Sequence, residues 1–119
     1  MSDNTTGANN VALGTHSLPN NTTGNDNVSI GESSLFTNTE GLDNVAVGMS
    51  ALYSNTTGDY NVGIGGSALE SNTTANNNTA VGNDSLKANT TGADNVAIGA
   101  YALDANTTAS RNVAVGKSA

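Results

Sequence analysis

The chain has 119 residues, no Cys, a formal net charge of −7, 35% hydrophobic residues and only 3% aromatic ones. The missing Cys excludes a disulfide framework or a thiolate metal site, and the negative charge argues against nucleic acid and anionic membrane surfaces as partners. No apolar run nears the ~18 residues of a membrane span, so membrane insertion is not expected. The polar start Met-Ser-Asp-Asn-Thr-Thr does not read as a secretory signal.

The chain is one unit written seven times, and 7 × 17 is 119. The units start at Asn4, Asn21, Asn38, Asn55, Asn72, Asn89 and Asn106 without insertion or deletion. A fixed short period signals a solenoid, and the period rescues a composition that would otherwise read as low-complexity. Counting from that first Asn, position 2 is always Thr, position 7 always Asn and position 11 always Gly. Position 8 is Val except at Thr79, position 9 is small, position 10 is Leu, Ile or Val, and position 15 is Leu wherever a unit reaches it.

In chain order, each unit opens with Asn-Thr-Thr-Gly-type turn chemistry. There Gly is expected to supply a positive φ and Asn to bond its own backbone. Next comes a short β-branched strand of the Asn-Val-Ala-Ile-Gly type, closed by Gly. Positions 8 and 10 share one face of it and position 9 takes the other. One face is expected to line a narrow roll while the other packs against a partner chain, and a monomer with Val, Ile and Leu inside and Ala outside is also acceptable. The Ala/Ser-Leu segment then reads as a second short strand or a bend. Helices fail for want of a 3.6-residue face, and 17 residues are too few for a strand–helix repeat of about 20–29.

The expected fold is therefore all-β: a parallel β-solenoid of seven 17-residue coils, a single domain over residues 1–119 without caps. Coils spaced at ~4.8 Å put like residues on like. Asn10, Asn27, Asn44, Asn61, Asn78, Asn95 and Asn112 should form an amide ladder, and so should the Asn at position 1. At position 16, Phe36 should lie over Tyr53, and Lys87 between Glu70 and Asp104. At position 6, Asp94 should lie beside Arg111.

The two ends match. Ala119 stands at position 14 and Met1 at position 15, so one copy's last coil could be followed by another's first without breaking register. The last coil carries Arg111 and Lys117 and no acid, whereas residues 1–37 carry Asp3, Asp26 and Glu32 and no Lys or Arg. An uncapped edge templates pairing, and a heterologous contact that does not close gives a filament. The expected interface consists of Met1, Asp3, Arg111, Val113, Val115, Lys117 and Ala119.

The pattern Asn-Thr-Thr-Gly-x-x-Asn-Val-Ala-Ile-Gly-x-x-Ala-Leu resembles the head repeats of trimeric autotransporter adhesins and repeats of phage tail fibres. Val45-Ala46-Val47-Gly48, Val96-Ala97-Ile98-Gly99 and Val113-Ala114-Val115-Gly116 carry the likeness, which covers all seven units. The resemblance implies a left-handed parallel β-roll, often trimeric, serving adhesion or a shaft.

No catalytic site is expected. The single His, His16, stands at a variable position, and no carboxylate recurs in every unit. Asp26, Asp43 and Asp94 at position 6, with Asp59 at position 5, are read as solvated turn acids rather than calcium ligands. The Thr columns do not form a matched ice-binding array, since Glu40 interrupts one of them. Asn-Thr-Thr is also a glycosylation acceptor pattern, generated by the repeat itself. The first expectation is a self-assembling structural subunit without cofactors, stacking head to tail outside the cell or on a virion. The alternative is the repeat segment of a trimeric adhesin or tail fibre that contacts a host-surface receptor.

Overall fold

A computed structural model describes residues 3–119. The chain is all-β, a parallel β-solenoid in which each coil contributes one three-residue strand. These are β1 (Val11–Leu13), β2 (Val28–Ile30), β3 (Val45–Val47), β4 (Val62–Ile64), β5 (Thr79–Val81), β6 (Val96–Ile98) and β7 (Val113–Val115). They form one sheet in sequence order, every neighbouring pair parallel. Val28 pairs with Val11 on one side and Val45 on the other, one 17-residue step each way. The rod measures 39 × 22 × 17 Å.

The strand's small face is the inner one. Ser29, Ala46, Ala80 and Ala97 at position 9 are fully buried, while Val and Ile at positions 8 and 10 face outward. The reason is the thinness of the roll. Inside, position 9 meets position 14 directly: Ser29 Oγ lies 2.6 Å from Ser34 Oγ, and Ser17 Oγ donates to the Ser29 carbonyl at 2.8 Å. A Cβ built on Gly63 would already stand 3.1 Å from the Ala68 carbonyl oxygen. Bulky side chains have no room there, so the arrangement with Val and Ile inside and Ala outside is set aside.

The interior is completed by the Leu column. Leu18, Leu35, Leu52, Leu69 and Leu86 are fully buried and pack with Ala51, Ala68 and Ala102. The Ala/Ser-Leu segment is a turn rather than a second strand, with each column Leu in the left-handed region, from φ 46° at Leu35 to 55° at Leu69. That conformation costs a branched side chain roughly 1–2 kcal/mol, and full burial of a Leu returns about 1.5–3. The column persists because its side chains fill the roll.

Glycine acts differently at its two columns. At position 11, φ runs from 129° to 133°, and a Cβ on Gly48 would stand 2.6 Å from backbone atoms of Gly65 in the next coil. At position 4, where a positive φ was expected, the glycines are not left-handed. Space there is tight, since a Cβ on Gly24 would fall 2.4 Å from both Asn21 Oδ1 and the Gly41 carbonyl oxygen, yet Ala75 and Ala109 hold the same position in two coils, so local shifts admit a methyl group. The left-handed residue of that corner is position 6, including Asp26, Asp43, Tyr60 and Asp94.

Candidate assembly surfaces

Two Asn columns lock each coil to the next. At position 1, Asn55 Nδ2 donates to Asn38 Oδ1 at 2.9 Å and to the Gly58 carbonyl of its own coil at 2.9 Å. The pattern runs from Asn21 onto Asn4 at 3.0 Å up to Asn106 onto Asn89 at 2.9 Å. At position 7, the Asn61 backbone N–H donates to Asn44 Oδ1 at 3.0 Å, while Asn44 Nδ2 reaches the Gly58 carbonyl at 2.8 Å. The same bonds join Asn10 to Asn27, Asn78 to Asn95 and Asn95 to Asn112. Amides placed this way satisfy polar groups that burial would otherwise leave unpaired. The position-1 amides of Asn21, Asn55, Asn72 and Asn89 are fully buried with their Nδ2 engaged, so these acceptor patterns are closed to glycosylation in the folded rod.

Backbone bonding repeats with equal regularity. The position-8 N–H donates to the next coil's position-7 carbonyl at 2.8 Å at every step, from Val11–Asn27 to Val96–Asn112. The position-11 N–H donates back to the preceding coil's position-10 carbonyl at 2.7–2.8 Å. Stacking also covers side chains: Val113 and Val115 in the last coil are 74% and 69% exposed, while Ile98 one coil below is 42% exposed.

Of the expected end-to-end residues, Met1 lies outside the described residues. Asp3 is in the solenoid register, its N–H donating to the Pro19 carbonyl at 3.1 Å as Ser54 donates to Glu70 at 2.9 Å. At the opposite end, the Ala119 carbonyl accepts from the Leu103 N–H at 2.8 Å and the Arg111 N–H donates to the Ala93 carbonyl at 3.0 Å. Arg111, Val113, Val115 and Lys117 are exposed in the same coil, Arg111 and Lys117 flanking β7. One chain does not bring them near Asp3, which lies at the opposite end of the rod.

A third surface was not singled out as solvent-facing from sequence. The outer face of the sheet presents two parallel columns of apolar side chains, position 8 from Val11 to Val113 and position 10 from Leu13 to Val115. Thr79 is the one polar break. The signal was present in the small residue at position 9, which a thin roll must take inside.

The position-16 column behaves largely as its residues suggest. Phe36 and Tyr53 stack with centroids 5.0 Å apart and planes 5° from parallel, and His16 meets Phe36 edge-on at 6.2 Å. Lys87 pairs with Glu70 at 3.5 Å, but its second partner is Asp84 at 2.9 Å rather than Asp104. The short bond that the Lys87 ammonium donates to Asp84 is the main reason it is held above its ordinary range, with desolvation opposing it. Arg111 and Asp94 form no ion pair among the described residues. Asp26 accepts from Asn9 Nδ2 at 2.9 Å, and Asp59 Oδ1 accepts from the Leu42 N–H at 3.0 Å, so these acids serve the turns. The position-2 Thr hydroxyls bond along the rod to the next coil, Thr22 Oγ1 donating to the Thr39 carbonyl at 3.0 Å. No family model, curated protein or solved structure matches this chain in comparisons with known proteins.

Proposed function

We propose that the chain is a structural protein, a β-solenoid subunit that stacks head to tail into a filament outside the cell or on a virion. The observation that carries this reading is the translational identity of the junctions, with the same bond at 2.8 Å from Val11 to Val96. Each coil presents to the next the complement of what it receives. A copy placed on the last coil would engage the Val113 N–H and the Val115 carbonyl with its own Asn10 carbonyl and Gly14 N–H. It would also bring Arg111 and Lys117 toward the acid-bearing first coils. The contact is heterologous and does not close, so it propagates.

The direct test is Val113→Pro. Proline removes an N–H that only an added coil would use, and an edge strand tolerates it. Filament growth should stop while the circular dichroism spectrum and melting temperature stay unchanged; filaments of undiminished length would contradict the end-on contact. Arg111→Glu with Lys117→Glu should shorten filaments, and unchanged lengths would remove the charge contribution.

The outward apolar face supports a second reading, the repeat segment of a trimeric adhesin or tail fibre that meets a host surface through its turns. Parallel columns of Val and Ile suit packing against partner chains. Sedimentation separates the two: a single species of three chains favours the adhesin, an open-ended mass distribution the filament.

A further inference from the structure

At every step along the rod, several donors of one coil close on a single oxygen of the next. The Thr at position 2 donates both its backbone N–H and its hydroxyl to the following coil's position-2 carbonyl, from Thr5 onto Thr22 at 3.1 and 2.9 Å to Thr90 onto Thr107 at 2.8 and 3.1 Å. The N–H at position 3 joins the same oxygen at Thr6 and Thr23, each at 3.0 Å, at Glu40, at 3.2 Å, and at Thr91, at 3.4 Å. Successive backbone N–H groups that converge in this way make a concavity that suits an anion.

In the seventh coil the same donors are the Thr107 N–H, the Thr107 hydroxyl and the Thr108 N–H, and both residues are exposed. The turn that carries them is fixed from behind. Asn106 Nδ2 donates to the Ala109 carbonyl at 3.0 Å and to Asn89 Oδ1 at 2.9 Å, and Asn95 Nδ2 reaches the Ala109 carbonyl at 3.0 Å. The cradle is thus set before a ligand arrives, which lowers the ordering cost of binding. A charged oxygen accepts such bonds about twice as strongly as the neutral carbonyl that fills the cradle in the earlier coils. Arg111 and Lys117 stand exposed in the same coil, and residues 106–119 contain no Asp or Glu.

We propose that the Thr107–Thr108 edge of the last coil binds an oxyanion of the phosphate class, one oxygen taking the place that a carbonyl holds in the coils before it. The site belongs to the single rod, so binding depends on neither reading of assembly. On the head-to-tail reading, the next copy's Thr5 carbonyl uses the same cradle, and phosphate competes with it.

The test is a titration of sodium phosphate followed by amide NMR, at constant ionic strength, on the wild-type chain and on Val113→Pro, which keeps the last coil open where copies stack. The Thr107 and Thr108 amide signals should shift and saturate, while Thr90 and Thr91, the same residues one coil earlier, should stay in place. Thr107→Val keeps the shape of the side chain, removes one donor and should weaken binding several-fold. Thr56→Val removes the equivalent hydroxyl three coils away and should leave affinity within about twofold. Arg111→Gln with Lys117→Gln should weaken binding and flatten its salt dependence. Shifts that never saturate, equal movement of Thr90 and Thr91, or unchanged affinity in Thr107→Val would overturn the proposal. So would an equal response to sodium chloride.

Discussion

The two faces of one strand obey opposite rules. On the inner face of β3, Ala46 is fully buried against the Leu column, while Val45 and Val47 on the outer face are only half-buried, by the coils above and below. In most sheets the bulky residues go inside. Here the roll is too thin for them, since position 9 abuts position 14 at hydrogen-bonding distance in the Ser17–Ser29–Ser34 cluster. The bulky side chains of the strand are pushed out, where each is covered by its equivalent one coil away, and the interior is filled by the Leu column of the turns. The inner face sets stability coil by coil, and the outer face and the ends carry the exposed apolar side chains.

That division can be broken deliberately. Leu52→Ala should be among the most damaging inner changes, about 2–5 kcal/mol by denaturant unfolding, because Leu52 is fully buried and the rigid stack cannot collapse onto the gap. Asn61→Ala should cost about 2–4 kcal/mol. It orphans the Asn78 N–H, which Asn61 Oδ1 accepts at 3.0 Å, and removes one of the two bonds to the Ala75 carbonyl, leaving that from Asn72 Nδ2 at 3.1 Å. Ala46→Val should cost about 1–3 kcal/mol by overpacking. The mirror change on the outer face, Val45→Thr, keeps a β-branched residue facing outward and should stay within about 0.5 kcal/mol. If Ala46→Val proved as mild as Val45→Thr, the inside–outside assignment would fail.

Lys87→Met should have a small effect. Lys87 itself is exposed although Asp84 and Glu70 are half-buried, and a pair screened by water on one side contributes on the order of 1 kcal/mol. The sign of its pH dependence follows from the raised Lys87 titration. The contribution is fully present below pH 10.5 and is lost as pH rises through the elevated folded value. The wild-type minus Lys87→Met stability difference should therefore be flat from neutral pH to about pH 10 and then vanish.

The fold was legible because the period dictates it: seven strands in register follow from Val-x-Ile-Gly recurring every 17 residues, and the Asn columns could be placed as ladders before any coordinates. Three features were not. The left-handed Leu at position 15 runs against local propensity and exists only because burial offsets the strain, which a single residue's preferences do not reveal. The preference for small residues at position 4, Gly in five coils and Ala75 and Ala109 in two, reflects the close approach of the next coil, visible only once coils stack. Lys87 chose Asp84 within its own coil over Asp104 one coil away, a matter of side-chain reach rather than spacing. The outward apolar face was half-legible: alternation announced two faces, and only the thinness of the roll decided which one meets solvent.

Electron microscopy of the purified, untagged protein at micromolar concentration tests the central claim most directly. The account predicts long, unbranched filaments whose diffraction carries a strong meridional reflection near ~4.8 Å, the coil spacing continued across every junction between copies. Compact particles of fixed size at all concentrations would contradict it, and would move the outward Val and Ile columns to the centre of the protein's role.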